Sequence, residues 1–336
     1  MPRLELNPQY IDPPDLGELD DFTLIGWEGE DVKNEMQMTP YEGVNFENIV
    51  ISQWAVELLA LRNMKRLDFT HCMIPKGLFK LLYHSLQHIE TLRLYDNIIT
   101  TSELNMLFKI LYALYQSTTD ESDLPLKTLI IAQKNLPSNL DIGIFNSLQT
   151  LDVGFADNKA LRSIFEVLRY DRSIKRFIIR NTSFDELTIE YLSEMIHTNS
   201  VISEYEFDTI EMDQENAILI TAELGVNTNI RRLKFSYSID DIIQVMSGVP
   251  HLEVLVYTND TRQRMDVAEF FKKLSDYNTL RHLGFMTSNS IEDFITTDVI
   301  HNAFRDNKSI ISFDFNGWML PSPTKASIQL YLVNNR

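Results

Sequence analysis

The sequence predicts an α/β repeat solenoid in which about ten short strands alternate with helical segments. A frame of apolar residues at relative positions 1, 4 and 6, with a special residue at 9, recurs ten times. Between copies the apolar residues step by 3, 1 and 3, the spacing that covers one face of an α-helix. The ninth positions fall at 72, 97, 134, 156, 182, 210, 238, 260, 288 and 318, a mean spacing of about 27 residues.

The first frame is Met64, Leu67, Phe69 and Cys72, followed by Ile74; the second is Ile89, Leu92, Leu94 and Asn97, followed by Ile99. Leu104, Leu107, Phe108 and Leu111 then mark a helix. A polar, acidic insertion from Tyr115 to Pro125 precedes the third frame, Leu126, Leu129 and Ile131. Leu148, Leu151 and Val153 follow; the repeat ending at Ala156 is only 22 residues long, as is the one ending at Asp260. Neither has room for a full helix. The stripe Leu161, Ile164, Phe165 and Leu168 leads to the frame Ile174, Phe177 and Ile179. Next come Ile202, Tyr205 and Phe207, then Ile230, Leu233 and Phe235, then Leu252, Leu255 and Tyr257. Val267, Phe270, Phe271 and Leu274 form another helical stripe before Leu280, Leu283 and Phe285. The last frame is Ile310, Phe313 and Phe315. Asp171, Asn199, Asn227 and Asn307 each stand three residues before the next strand's first apolar residue. Tolerance of left-handed backbone suits them to the return turn. Trp318, Pro321 and Pro323 break the frame, so residues 321–336 are expected to cap the open end.

This pattern resembles the ribonuclease-inhibitor type of leucine-rich repeat over roughly residues 60 to 320. The resemblance implies a right-handed β-α horseshoe, with a parallel sheet on its concave face and helices on its convex face. Cys72 and Asn97 occupy the family's Asn/Cys position, which satisfies the backbone of the turn. Elsewhere that position holds Lys134, Ala156, Thr182, Ile210, Ser238, Asp260, Ser288 and Trp318, so the polar ladder is degenerate. The array is assigned to residues 46–320.

Residues 1–45 read as an acidic arm with an N-terminal cap. Residues 1–50 hold 12 acidic residues, 2 basic residues and five of the 11 prolines. Phe22, Leu24, Ile25 and Trp27 nearly alternate, so Asp21 to Trp27 is expected to pair beside the first repeat. The stretch with Asp12, Asp15, Glu18 and Asp20 is expected to stay extended. From about Asn45, Phe46, Ile49, Trp54, Leu58 and Leu59 suggest a helix.

The net charge of −18 disfavours binding to nucleic acid or an anionic membrane. One cysteine, Cys72, fits a reducing compartment. No apolar run approaches a membrane span, and the N-terminus has no apolar signal core, so a cytoplasmic or nuclear location is expected. The sequence holds no phosphate loop, dinucleotide fingerprint, HExxH or CxxC pair. No enzyme activity, cofactor or metal is therefore expected. His84 and His88 share i,i+4 spacing without a carboxylate motif, and read as a solvated pair.

Alternation along each strand directs positions 3, 5 and 7 toward the concave face. There Arg176 and Arg180 are followed by Glu204, Glu206 and Asp208, then by Arg232 and Lys234. Arg176, Glu204 and Arg232 should form one row, either a self-neutralising lattice or a docking patch. Apolar Ile130 and Val256 flank this band, with Arg93 and Tyr95 toward the N-terminal end and His282 and Met286 toward the C-terminal end. These residue types favour a protein interface. The expected function is a non-catalytic interaction module or scaffold, holding a protein partner on the concave face and acidic arm. That partner should present a basic surface, and the chain could serve as one subunit of a larger complex. The competing readings are a small-GTPase regulator similar to the Ran GTPase-activating protein, and a bacterial or parasite effector mimicking a host repeat protein.

Overall fold

The computed structural model describes residues 3–6, 21–25, 43–51, 64–117, 125–138, 140, 142–211, 214–235, 248–249, 251–259, 267–274, 277–287, 294–314 and 320–336. The chain forms two compact units, Met1–Ile174 and Lys175–Arg336.

In the first unit the strands are β1 (Arg3–Leu6), β2 (Asp21–Ile25), β3 (Gly43–Glu47), β4 (Arg66–Thr70), β5 (Thr91–Tyr95), β6 (Thr128–Ala132) and β7 (Thr150–Gly154). Each pairs in parallel with the next. The helices are α1 (Leu78–Leu81), α2 (Tyr83–Leu86), α3 (Thr101–Ser117) and α4 (Asn158–Leu168). In register, Leu67, Leu92, Leu129 and Leu151 form one column, and Phe69, Leu94, Ile131 and Val153 the next. All eight side chains are buried. The helical stripes close over this apolar layer: Phe79 of α1 meets Phe69 edge-on at 6.4 Å, and Leu161, Ile164, Phe165 and Leu168 of α4 are fully buried.

The second unit holds β8 (Arg176–Ser183), β9 (Glu204–Glu211), β10 (Arg232–Phe235), β11 (Val254–Asn259), β12 (His282–Thr287) and β13 (Ser312–Asp314), again parallel in chain order. Between them run α5 (Glu186–Thr198), α6 (Gln214–Val226), α7 (Val267–Leu274) and α8 (Phe294–Asp306); α9 (Ser322–Asn334) follows β13. Phe271 of α7 packs on Phe313 of β13 at 6.3 Å. The Tyr205 hydroxyl reaches the Met195 sulfur of α5 at 3.9 Å, and complete burial pushes that phenol's pKa upward. The helix α9 buries Ile328 and Leu332, and Tyr331 meets His301 of α8 at 5.5 Å.

All ten frames form strands, and the alternation of parallel strands with helices is that of a leucine-rich repeat solenoid. The N-terminal expectation needs correcting. Gly43–Glu47 is a strand where a helix was expected to begin, because Phe46 and Ile49 fit either period. Val44 and Phe46 align with Leu67 and Phe69 and are buried, so the frame runs one repeat earlier. Asp21–Ile25 accordingly pairs with β3, not with the first expected repeat, and Arg3–Leu6 pairs with β2 instead of lying free. Asp12, Asp15, Glu18, Asp20, Trp27, Trp54, Leu58, Leu59 and Trp318 lie outside the described residues. The side chains of Phe235 and Phe285 also lie outside them, although both stand in register with Tyr257.

The turns are satisfied differently from the expectation. None of Asp171, Asn199, Asn227 and Asn307 has a positive φ. Their side chains act instead as hydrogen-bonding clasps. Asn199 Oδ1 accepts from the amides of Val201 and Ile202, both at 2.8 Å. Asn227 Nδ2 donates to the carbonyls of Ile196 at 2.7 Å and Asn199 at 2.8 Å, tying successive repeats together. Asn307 Nδ2 does the same to Leu274 and Tyr277, and Asn335, just past α9, does so to Asn307 and Ile310. Left-handed backbone occurs one position before the ninth, at His71, Asp96, Phe155, Asn181 and Thr209. The third rung of the Asn/Cys ladder is Gln133, not Lys134: Asn97 Oδ1 accepts from the Cys72 amide, and Gln133 Oε1 from the Asn97 amide. Cys72 itself donates to the Phe46 carbonyl at 3.2 Å, and burial pushes its thiol up to about 11, which keeps it unreactive.

The short repeat between β6 and β7 has only turns among its described residues, as its length predicts. Leu136, Leu140, Ile142, Phe145 and Leu148 are buried there in place of a helix. Leu151→Asp would set an unpaired carboxylate inside the strand column and should cost more than about 3 kcal/mol. A urea melt with an unchanged midpoint would contradict the strand frame.

Candidate functional site

Alternation leaves one face of the strands open, away from the helices. On the second unit this face carries the charged band, and the register builds it as the sequence implies. Arg176, Glu204 and Arg232 form one row; Ile178, Glu206 and Lys234 the next; Arg180 and Asp208 a third. Parallel neighbours stand about 4.8 Å apart, so acid and base alternate across strands instead of stacking like on like.

The centre of the lattice is Glu206, which is 8% exposed. Its Oε2 accepts from Arg176 Nη2 at 3.0 Å and its Oε1 from Lys234 Nζ at 2.7 Å. Arg180 Nη2 lies 3.9 Å from the same Oε1. Burial alone would raise the pKa of this carboxyl. The hydrogen bond and charge of Lys234, with Arg176 and Arg180, outweigh burial and hold it below the ordinary value of 4.5. Ile178, in the same row as Glu206, is buried although it stands on the open face.

Around this hub the pairs are looser. Glu204 Oε2 lies 3.8 Å from Arg176 Nε and 4.0 Å from Arg232 Nε, and Asp208 Oδ2 lies 3.4 Å from Arg180 Nη1. The band is thus loosely paired at its rim and tightly bonded at Glu206.

Beside Lys234 the row continues to Val256, Gly284 and Asp314. A Cβ at Gly284 would stand 3.2 and 3.3 Å from the Val256 methyl groups, so Val256 occupies the space glycine leaves. His282 is exposed at the start of β12; Met286 pairs in register with Thr258, and its side chain lies outside the described residues.

Arg93, Tyr95 and Ile130 lie on the first unit, separate from the band. Arg93 stands between Asp68 and Ile130 in register and reaches Asp68 at 3.6 Å. Its guanidinium sits 5.1 Å from the centre of the Tyr95 ring. Two ring neighbours of Tyr95, and a cation beside one of them, escaped the sequence reading. The His71 ring meets it edge-on at 5.6 Å, the Phe155 ring at 5.8 Å, and Lys134 lies 6.0 Å from the Phe155 ring. His71 and Phe155 share the eighth position of the frame, whose left-handed backbone turns the side chain back across the strand ends. The recurrence of Asp96 and Asn181 at that position is the signal that could have found it.

Among the described residues, no three His, Cys, Asp or Glu side chains are grouped to hold a metal ion. His84 and His88 are both exposed. No helix among those residues is long and apolar enough to cross a membrane.

No protein-family model matches the chain, and no curated protein matches it. Among solved structures it is similar to leiomodin-1 actin-binding site 2, at 14% identity over 53% of this chain and 73% of that one, with a TM-score of 0.23. It is also similar to a structure of the TLR13–ssRNA13 complex, at 14% identity over 85% of this chain, with a TM-score of 0.39. This chain covers only 44% of the length of the latter.

The depressed pKa of Glu206 has a definite sign. The unfolded chain binds a proton at higher pH than the folded one, so this group's stabilisation is full above about 4.5 and is lost as pH falls through its folded value. Glu206→Gln should lower stability at pH 7 by about 1–3 kcal/mol and flatten the decline of stability below pH 5. Urea melts from pH 3 to 7 measure both; a variant with the wild-type pH slope would show that Glu206 is not the titrating hub.

Proposed function

We propose that this chain is a non-catalytic protein-interaction module that holds a protein partner on the open face of its strands. The observation that carries this is the division of the charged band into a fixed hub and an exchangeable rim. Glu206 is buried beneath hydrogen bonds from Arg176 and Lys234, while the side chains of Arg232 and Glu204 are 46% and 37% exposed. Rim pairs of this length and exposure are worth about 0–1 kcal/mol each, so a partner can replace them without unfolding the sheet. The hub keeps their stems in place for recognition.

The same electrostatics support a binding role over a catalytic one. A carboxyl held below its ordinary pKa and saturated by cations is a poor proton donor or acceptor near neutral pH. The net charge of −18 favours a partner with a basic surface, with residues 1–45 as a second contact, over nucleic acid or an anionic membrane. The buried thiol of Cys72 fits a reducing compartment, the cytoplasm or the nucleus. Repeats of 28 residues between Asp171, Asn199 and Asn227, each with a full helix, favour the ribonuclease-inhibitor subtype.

Glu204→Lys with Asp208→Lys reverses the rim and leaves Glu206 intact. Stability should fall by less than about 2 kcal/mol while partner association collapses. Capture from native lysate on wild-type and double-variant protein, with matched thermal melts, tests this. Retention of the same proteins by both at physiological salt would place binding elsewhere.

A further inference from the structure

In the second unit, α6 is apolar on its outer face as well as its inner one. Ala217, Ile220 and Leu224 are buried, as a repeat helix requires. On the opposite side Ile218, Leu219, Ala222 and Val226 follow at i, i+1, i+4 and i+8, a spacing that lines them up along one face of a helix. All four are exposed, Ile218 at 41%, Leu219 at 39% and Val226 at 61%. The stripe rises about 12 Å along the helix axis. Apolar residues scattered singly on a surface need no explanation, but a continuous stripe marks a contact surface.

The surroundings of this stripe carry one sign of charge. Together α5 and α6 contain Glu186, Glu190, Glu194, Glu215 and Glu223, and neither helix has a lysine or an arginine. The two helices lie side by side, since His197 Nδ1 of α5 stands 2.9 Å from Glu223 Oε2 of α6. Asn199 and Asn227 follow them 28 residues apart, so Glu190 holds in α5 the place that Ile218 holds in α6. Glu215 stands one turn before Ile218 and Leu219. Glu186, Glu190 and Glu215 are exposed, and none of the three has an ion pair among the described residues. Carboxylates thus border the stripe on its α5 side and at its N-terminal end.

We infer that the outer face of α6 docks a basic amphipathic helix of a protein partner. The apolar side of that helix lies on Ile218, Leu219, Ala222 and Val226, and its flanking lysines or arginines reach Glu190 and Glu215. Charge complementarity selects this occupant. A second copy of the chain would set glutamates against glutamates across the contact, and an acidic helix would meet the same repulsion. An anionic lipid surface is disfavoured for that reason too. A basic helix gains from both the stripe and its border. The site rests on the reading of the chain as an interaction module with a basic partner, but shares no residue with the charged band.

Fluorescence polarisation of three labelled peptides on the full-length protein tests the site. KLLKKLLKKLLK sets its leucines on one face of a helix, KLKLKLKLKLKL scatters the same residues around it, and ELLEELLEELLE keeps the pattern with the charge reversed. KLLKKLLKKLLK should bind with a Kd below about 100 μM, and each of the others at least tenfold more weakly. The first two carry equal charge, so the difference between them reports the stripe and not general attraction to a chain of charge −18. Ile218→Gln with Leu219→Gln removes the centre of the stripe while keeping good helix formers, and Glu190→Lys with Glu215→Lys reverses its border. Each double variant should melt like wild type and bind KLLKKLLKKLLK at least tenfold more weakly. The double variant Glu204→Lys, Asp208→Lys should bind it like wild type, which separates failure of this site from failure of the band. Absence of KLLKKLLKKLLK binding up to about 1 mM, equal binding of KLKLKLKLKLKL, or wild-type binding by either α6-face variant would each overturn the inference.

Discussion

Parallel pairing in fixed register is the constraint on which everything else in this chain depends. Once Leu67, Leu92, Leu129 and Leu151 share a column, every intervening residue is committed to the open face. A slip of one residue would expose that column and bury Asp68 and Arg93. In the second unit register is supported at the turns by the clasps of Asn227 and Asn307, which bind the carbonyls of the preceding turn and the amides of their own. A buried turn leaves polar groups that water cannot reach, and these side chains supply the missing partners.

The charged band shows the same constraint acting on electrostatics. Burying Glu206 carries a desolvation cost, which two hydrogen-bonded cations more than offset. The result is a carboxylate that serves as a clasp on the open face, as the asparagines do at the turns. Its neighbours remain solvent-exposed and weakly paired. Fixed at the centre and loose at the edge, the lattice suits recognition better than reaction.

Much of this was legible in the sequence because period and burial agree. Ten frames became ten strands, and the row Arg176, Glu204 and Arg232 followed from their spacing alone. What escaped was whatever depends on depth or on single backbone angles. The spacing put Glu206 on the open face but could not show that Arg176, Arg180 and Lys234 would close over it. Phe46 belonged equally to a strand and a helix until its partner Phe69 was known, since one copy of a period identifies neither. Gln133 took the ladder position that counting assigned to Lys134, because only side-chain reach decides which of two adjacent residues meets the Asn97 amide. Phe155 was invisible for a related reason: nothing in its type announces a left-handed backbone.

A double-mutant cycle between Glu206 and Lys234 tests the register and the lattice together. The variants are Glu206→Gln, Lys234→Met and the pair, each measured by urea unfolding at pH 7. With the two groups bonded at 2.7 Å, the coupling energy should be about 1–3 kcal/mol and should shrink as pH falls through the lowered pKa of Glu206. A coupling within about 0.3 kcal/mol of zero would mean that the two side chains act independently, and that the lattice is not built as described.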